Sequence, residues 1–231
     1  VILADPGPLL ALTGVSRRYG PMQALQPIDL KVAAGQCVAF LGVNGSGKST
    51  LLRIAAGRDT PTAGQVHYGG QPLREDALAA RTEIAVVGDP ASAYPDLTVR
   101  EHLMLVAVAH GGGSRSPDLV GEALAECRLA DHAAALPGWL SSGQRQALQL
   151  AAVLVRPRRL LILDEPEQRL DPKARRWLAD VLVREKARGA ALLLATHHFE
   201  LAEAVADEVI VLLDGAVIGR GTPAEAAVVL R

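Results

Sequence analysis

Gly42-Val43-Asn44-Gly45-Ser46-Gly47-Lys48-Ser49-Thr50 follows the apolar run Cys37-Val38-Ala39-Phe40-Leu41 and precedes Leu51-Leu52-Arg53-Ile54-Ala55-Ala56. Strand, glycine loop, helix is the setting a phosphate-binding loop requires. Glycines let the backbone curl until successive N–H groups point inward at phosphate oxygens. The following helix adds its positive end. Lys48 then reaches the β- and γ-phosphates, and the Ser49 hydroxyl holds Mg²⁺.

The bulk properties narrow the setting. At 231 residues the chain suits one large domain, or a core with a small subdomain, and 49% hydrophobic residues suffice for a sizeable interior. A net charge of -1 and 3% aromatics argue against a nucleic-acid partner. Cys37 and Cys127 stand far apart in no metal-ligand spacing and read as reduced core residues of a cytoplasmic protein. No apolar run has the length of a membrane span, and Val1–Pro6 lacks the pattern of a signal peptide. A membrane role would need a second chain.

The pattern along the chain predicts an α/β fold in several parts. Leu9 to Ala39 reads as short half-buried strands with turns at Gly20-Pro21 and Gly35, and Gln65–Gly70 as another such strand. Glu83–Gly88, Leu160–Leu163 and Ala190–Ala195 read as buried strands. Thr98-Val99-Arg100-Glu101 has the shape of a capping box opening a helix. Gly111–Ser114 reads as a flexible break, and Asp118–Leu129 as a second amphipathic helix. From Gln144 onward helix and buried strand alternate, as parallel crossovers do. The expectation is a mostly parallel core (9–95 and 144–231), an antiparallel β subdomain, an α-helical insert over about 96–143, and a flexible stretch 1–8.

Three further stretches carry chemistry. Leu160–Pro166 is an apolar strand ending in Asp164-Glu165. Asp164 there suits a ligand role toward Mg²⁺, and Glu165 suits deprotonation of an attacking water. Taken alone, the pair reads equally as solvated strand-end acids. Leu140-Ser141-Ser142-Gly143-Gln144 opens a helix and offers either an anion site or a plain serine cap. Leu192–His197 delivers a histidine to a strand end. No Cys or acid stands at ligand spacing from the His197-His198 pair, so the sequence does not mark it as a metal site.

Together and in this order, these elements resemble the ATP-binding-cassette (ABC) ATPase subunits of transporters, from Leu10 to about Ala224. Gly42–Thr50 matches the phosphate loop, Leu140–Gln146 the family signature, and Leu160–Pro166 the magnesium strand with its catalytic Glu. Leu170-Asp171-Pro172 matches the dimer-contact loop, and Thr196-His197 the switch histidine. The resemblance implies a P-loop NTPase fold and Mg²⁺-dependent ATP hydrolysis. It implies a dimer of ATPase subunits, a homodimer by preference, with each ATP between one phosphate loop and the partner's Ser141, Gly143 and Gln144. Tyr19 matches the aromatic that stacks on adenine, and His197 the contact to the γ-phosphate. The implied partner is an integral membrane permease on a separate chain, engaged at the cytoplasmic face of the membrane. Tyr94–Leu103 is similar to subunits of simple exporters, which favours export. The alternatives are a cassette ATPase without a transport role, acting as an assembly or regulatory partner, and a small-molecule kinase.

Three departures stand out. Asp89 occupies the place of a usual Gln, where a carboxylate could ligate Mg²⁺ directly or be driven from the site by like charge. Ser142 replaces the first signature Gly. Glu167-Gln168-Arg169 replaces a small polar segment and is expected to put charges at the dimer contact, with Arg169 pairing Glu167 or the facing subunit. Trp139 and Trp177 are expected to pack inside.

Overall fold

The computed structural model describes residues 7–74, 78–88 and 93–229. Strands β1 (Leu10–Tyr19) and β2 (Met22–Val32) form an antiparallel pair, and β3 (Cys37–Leu41) leads into helix α1 (Lys48–Ala55). Strands β4 (Ala63–Tyr68) and β5 (Gln71–Pro72) complete a four-stranded sheet in the order β2-β1-β4-β5. A short helix, α2 (Leu78–Thr82), precedes β6 (Ile84–Val87). Helices α3 (Val99–Ala109), α4 (Ser116–Glu126) and α5 (Ser142–Leu154) follow. The chain then alternates: β7 (Leu160–Asp164), α6 (Pro172–Ala187), β8 (Ala191–Thr196), α7 (Phe199–Val205), β9 (Glu208–Leu213), β10 (Ala216–Gly221) and α8 (Pro223–Val229).

The second sheet runs β10-β9-β3-β8-β7-β6, parallel except for the β9-β10 hairpin. Strands β3 and β8 are buried along their whole length, as central parallel strands covered on both faces must be. One face packs on α1 and the antiparallel sheet through Phe40, Leu51, Ile54 and Leu193. The other packs on the helical side through Leu103, Leu124, Leu148 and Leu182. This is the expected P-loop α/β fold with an antiparallel subdomain and a helical insertion.

Local expectations hold where a cap or a period carried them. Thr98 caps α3 and exchanges bonds with Glu101 as a capping box. Helix α4 starts at Ser116, ahead of the expected Asp118, because Pro117 supplies the helical φ at its first turn. It ends at Glu126 because Arg128 turns left-handed at φ 56. The expected break at Gly111–Ser114 folds into a 3₁₀ turn, Gly113–Arg115. Trp177 is buried, its indole N–H donating to the Glu126 carbonyl at 2.9 Å. Trp139 overturns its expectation: it is 77% exposed, projecting from the turn just before the signature. Both cysteines are free and buried, with burial pushing each thiol up to about 12.

Candidate functional site

The register of the parallel sheet assembles the site. Leu41 pairs with Thr196, Asp164 with Ala195, and Val87 with Leu163. The ends of β3, β6, β7 and β8 therefore meet at one carboxyl edge, where ligands of open α/β sheets bind. The phosphate loop, Asp164-Glu165, His197 and the turn at Gly88 all project there.

An open cleft of about 1120 Å³ lies at this edge, lined among others by Tyr19, Gly45, Lys48, Ser49, Asp164 and Glu165. Asn44, Gly47 and Thr50 also line it, whereas Ser46 is buried beneath the loop beside Gly42. Gly47 is the N-cap of α1 at φ 102, and a Cβ there would stand 2.8 Å from the Ala24 carbonyl oxygen. Only glycine holds that turn, which leaves the first helical N–H groups without a side-chain cap and facing the cleft. Lys48 is buried, and its Nζ donates to the carbonyls of Gly42 at 2.7 Å and Val43 at 3.0 Å. The same ammonium lies 3.9 Å from Glu165 Oε1.

Asp164 and Glu165 take different roles from their backbone. Asp164 still belongs to β7, whereas Glu165 turns left-handed at φ 48 and donates its N–H to Ala195 O at 2.9 Å. Burial raises the Asp164 carboxyl above its ordinary range and Glu165 adds to this, against a hydrogen bond from the Ser49 hydroxyl and the charges of Lys48 and Arg53. One hydroxyl and one carboxylate beside a phosphate loop are the hard oxygen donors Mg²⁺ takes, so Ser49 and Asp164 fit that ion. Gly88 turns at φ 120, and a Cβ on it would stand 2.6 Å from the Asp164 carbonyl oxygen. Asp89 lies outside the described residues.

His197 stands with its side chain 48% exposed, Nδ1 3.7 Å from Glu165 Oε2. Tyr19 is pinned rather than loose. Its hydroxyl donates to Asp59 and accepts from Arg53 at 2.8 Å, and Arg17 lies 4.5 Å over its ring. Ser141, Gly143 and Gln144 are not among the described residues lining this cleft. Ser141 caps α5, accepting from the Gln144 N–H at 3.2 Å, while Gln144 Oε1 accepts from the Ser141 N–H at 2.8 Å. Ser142 begins that helix in helical conformation, so the replaced glycine leaves the cap intact.

The segment Glu167-Gln168-Arg169 corrects its expectation. Glu167 is 1% exposed and accepts a hydrogen bond from Thr196, so it is no surface charge and does not pair with Arg169. Its neighbours turn to the nucleotide side. Gln168 donates to Glu165, and Gln168 and Arg169 line the cleft. Gln146 of α5 lines it too. The departure of residues 167–169 from the family pattern signalled something local; only the fold shows which way each side chain turns.

Fold and site together define a P-loop nucleotide-binding protein of the α/β class. The ABC transporter family profile matches residues 25–168, and this chain belongs to that family. It is 36% identical over 213 residues to the Nod factor export ATP-binding protein I of Bradyrhizobium diazoefficiens, covering 92% of this chain and 70% of that protein. With the protein of the same name from Rhizobium meliloti strain 1021 the identity is 37% over 221 residues, 95% of this chain and 66% of that one. The chain thus spans about two thirds of the length of these relatives. A solved ATP-binding subunit of an ABC transporter superposes with a TM-score of 0.84 at 32% identity, over 93% of this chain and 90% of that one. The ABC cassette MJ0796, solved as a dimer in a post-hydrolysis state with ADP and Pi, superposes with a TM-score of 0.84 at 25% identity, over 93% and 98%. The chain is an ATP-binding, ATP-hydrolysing subunit of an ABC transporter. No described helix is long and apolar enough to cross a membrane.

Proposed function

We propose that residues 9–231 act as one cassette that pairs with a second copy, binds two ATP at the shared interface, and powers export through a permease on a separate chain. The observation that carries this is that Ser141 and Gly143 do not line the cleft holding Lys48 and Glu165 in one chain. A cleft that its own Ser141 does not line leaves that place to a partner's. The dimeric MJ0796 cassette and the export role in the relatives' names support the same reading. Its place is then peripheral, on the cytoplasmic face of the membrane.

In that assembly the loop from Gly42 to Thr50 wraps the phosphates. Lys48 leaves its loop carbonyls for the β- and γ-oxygens. Ser49 and Asp164 would hold Mg²⁺, whose contribution when bound would be neutralisation of charge on the phosphate oxygens. Glu165 takes a proton from the attacking water, and His197 and the partner's signature serine hold the γ-phosphate in line. Tyr19 presents its ring to the adenine. The sequence position of Asp89 assigns it to tuning the metal: Asp89→Gln should shift the Mg²⁺ dependence of hydrolysis, and superimposable Mg²⁺ curves would speak against that role.

Two measurements test the function. Hydrolysis per chain should rise with protein concentration as dimers form; a flat response contradicts the shared site. Gentle isolation from membranes should bring along a multispanning protein whose transport depends on Glu165. Recovery without such a partner, with unchanged transport in Glu165→Gln cells, contradicts the transport role.

A further inference from the structure

Beside the nucleotide cleft lies a cluster that the reading above leaves unused. One ligand atom each of Glu167, His197 and His198 lies within 4.8 Å of the other two. The sequence hides this cluster, because Glu167 follows β7 and the histidines follow β8. The parallel pairing of Asp164 with Ala195 sets the two turns side by side. His197 Nδ1 stands 3.9 Å from Glu167 Oε1, and the two imidazole centroids are 4.3 Å apart.

The second observation is the state of the carboxylate. Glu167 is 1% exposed, and its Oε1 accepts from the Thr196 hydroxyl. Its Oε2 is buried without a hydrogen-bond partner among the described residues. Burying a carboxylate oxygen unpaired is costly, and such atoms call for an explanation. Thr196 fixes Oε1, the oxygen that also faces His197, and leaves it a second lone pair for an ion, the arrangement by which outer partners orient metal-binding carboxylates.

We propose that Glu167, His197 and His198 form a binding site for a divalent transition ion of the Zn²⁺ class, distinct from the Mg²⁺ position at Ser49 and Asp164. Two imidazole nitrogens and one carboxylate oxygen suit zinc, which takes three such ligands and keeps a fourth position for water. Mg²⁺ and Ca²⁺ prefer oxygen donors throughout. Ligand atoms of a tetrahedral zinc site lie about 3.4 Å apart at bond lengths near 2.1 Å. Rotation of the exposed His197 and half-buried His198 rings closes the difference. Arg175 opposes occupancy: its Nη1 lies 3.1 Å from both ring nitrogens of His198 and must swing away. Glu165 also faces His197, at 3.7 Å. An ion held here commits His197 to the metal and takes it from Glu165 and the γ-phosphate, arresting hydrolysis without displacing the nucleotide. That consequence rests on the catalytic reading above; the binding itself does not.

The test uses untagged, metal-stripped protein titrated with Zn²⁺ against a chromophoric chelator. One ion per chain is expected. His198→Gln and Glu167→Gln should each weaken it at least about tenfold, as loss of site residues does, while Arg175→Ala should tighten it. Circular dichroism melts establish that each variant is folded; should Glu167→Gln fail to fold, the partly exposed His198→Gln decides alone. Unchanged affinity in His198→Gln, or no binding by the parent, overturns the site. In the parent, Zn²⁺ should stop ATP hydrolysis while a fluorescent ATP analogue stays bound, and His198→Gln should relieve the inhibition. Displacement of the analogue by Zn²⁺ would place the ion in the phosphate site and overturn the inhibitory mechanism.

Discussion

Lys48 is buried in its own loop, its charge shared between two carbonyls and Glu165, until phosphate oxygens offer a better partner. Lys48→Ala should weaken ATP at least tenfold, about 1.4 kcal/mol, in a fluorescent nucleotide titration; an unchanged affinity refutes the loop's role. Glu167 gives a pH prediction. Burial raises its carboxyl above the ordinary Glu value of 4.5, against the Thr196 hydrogen bond and the nearby histidines. A raised acid contributes stability that is complete below its unfolded pKa and lost as pH rises through the folded value. Glu167→Gln cannot ionise. Its melting temperature minus the parent's should therefore grow as pH rises from about 4 and then level off. A difference that shrinks with rising pH contradicts the buried assignment. Lys48 and Glu165 were legible in the sequence because flanking apolar runs fixed their setting. Glu167 was not, because its burial depends on a turn after β8 that the linear order does not bring near.

At the scale of elements, α6 is anchored to the turn before β7 by Glu185. That carboxylate lies 2.5 Å from Arg158 Nε and 2.8 Å from Arg188 Nη1. Burial would raise its pKa, but Arg158 and then Arg188 outweigh burial and hold it below the ordinary range. Arg158→Met leaves a buried charge half-paired and should cost about 3 kcal/mol at neutral pH, read by chemical denaturation. Stability from a lowered acid is present above its unfolded pKa and lost as pH falls through the folded one, so the penalty should shrink in acid. A penalty independent of pH contradicts the pairing. Most elements were visible beforehand for local reasons: the Thr98–Glu101 box, the apolar runs of β3, β7 and β8, the glycine loop. The ends of α4 and the turn at Gly113–Arg115 were not, since neither the start one residue before Pro117 nor the left-handed turn at Arg128 follows from the apolar period. The outward Trp139 escaped for the opposite reason: an apolar residue left on the surface has no local signature.

For the whole molecule, one parallel register gathers Asp164, Glu165 and His197 at a single sheet edge, while Ser141 caps α5 and does not line the cleft there. Family membership was legible because four motifs recur in order. The sharing of the site between two copies came only with that resemblance, since linear order does not say which surfaces face each other. The central claim is that the site is completed across two copies, and the most direct measurement is mass by light scattering. Glu165→Gln with Mg²⁺ and ATP should shift from 24.2 kDa per particle to double that mass. Adding Ser141→Arg to the same chain should return it to the single-chain mass while ATP remains bound at Lys48. A doubled mass that ignores Ser141→Arg, or no doubling with ATP bound, would contradict the shared site.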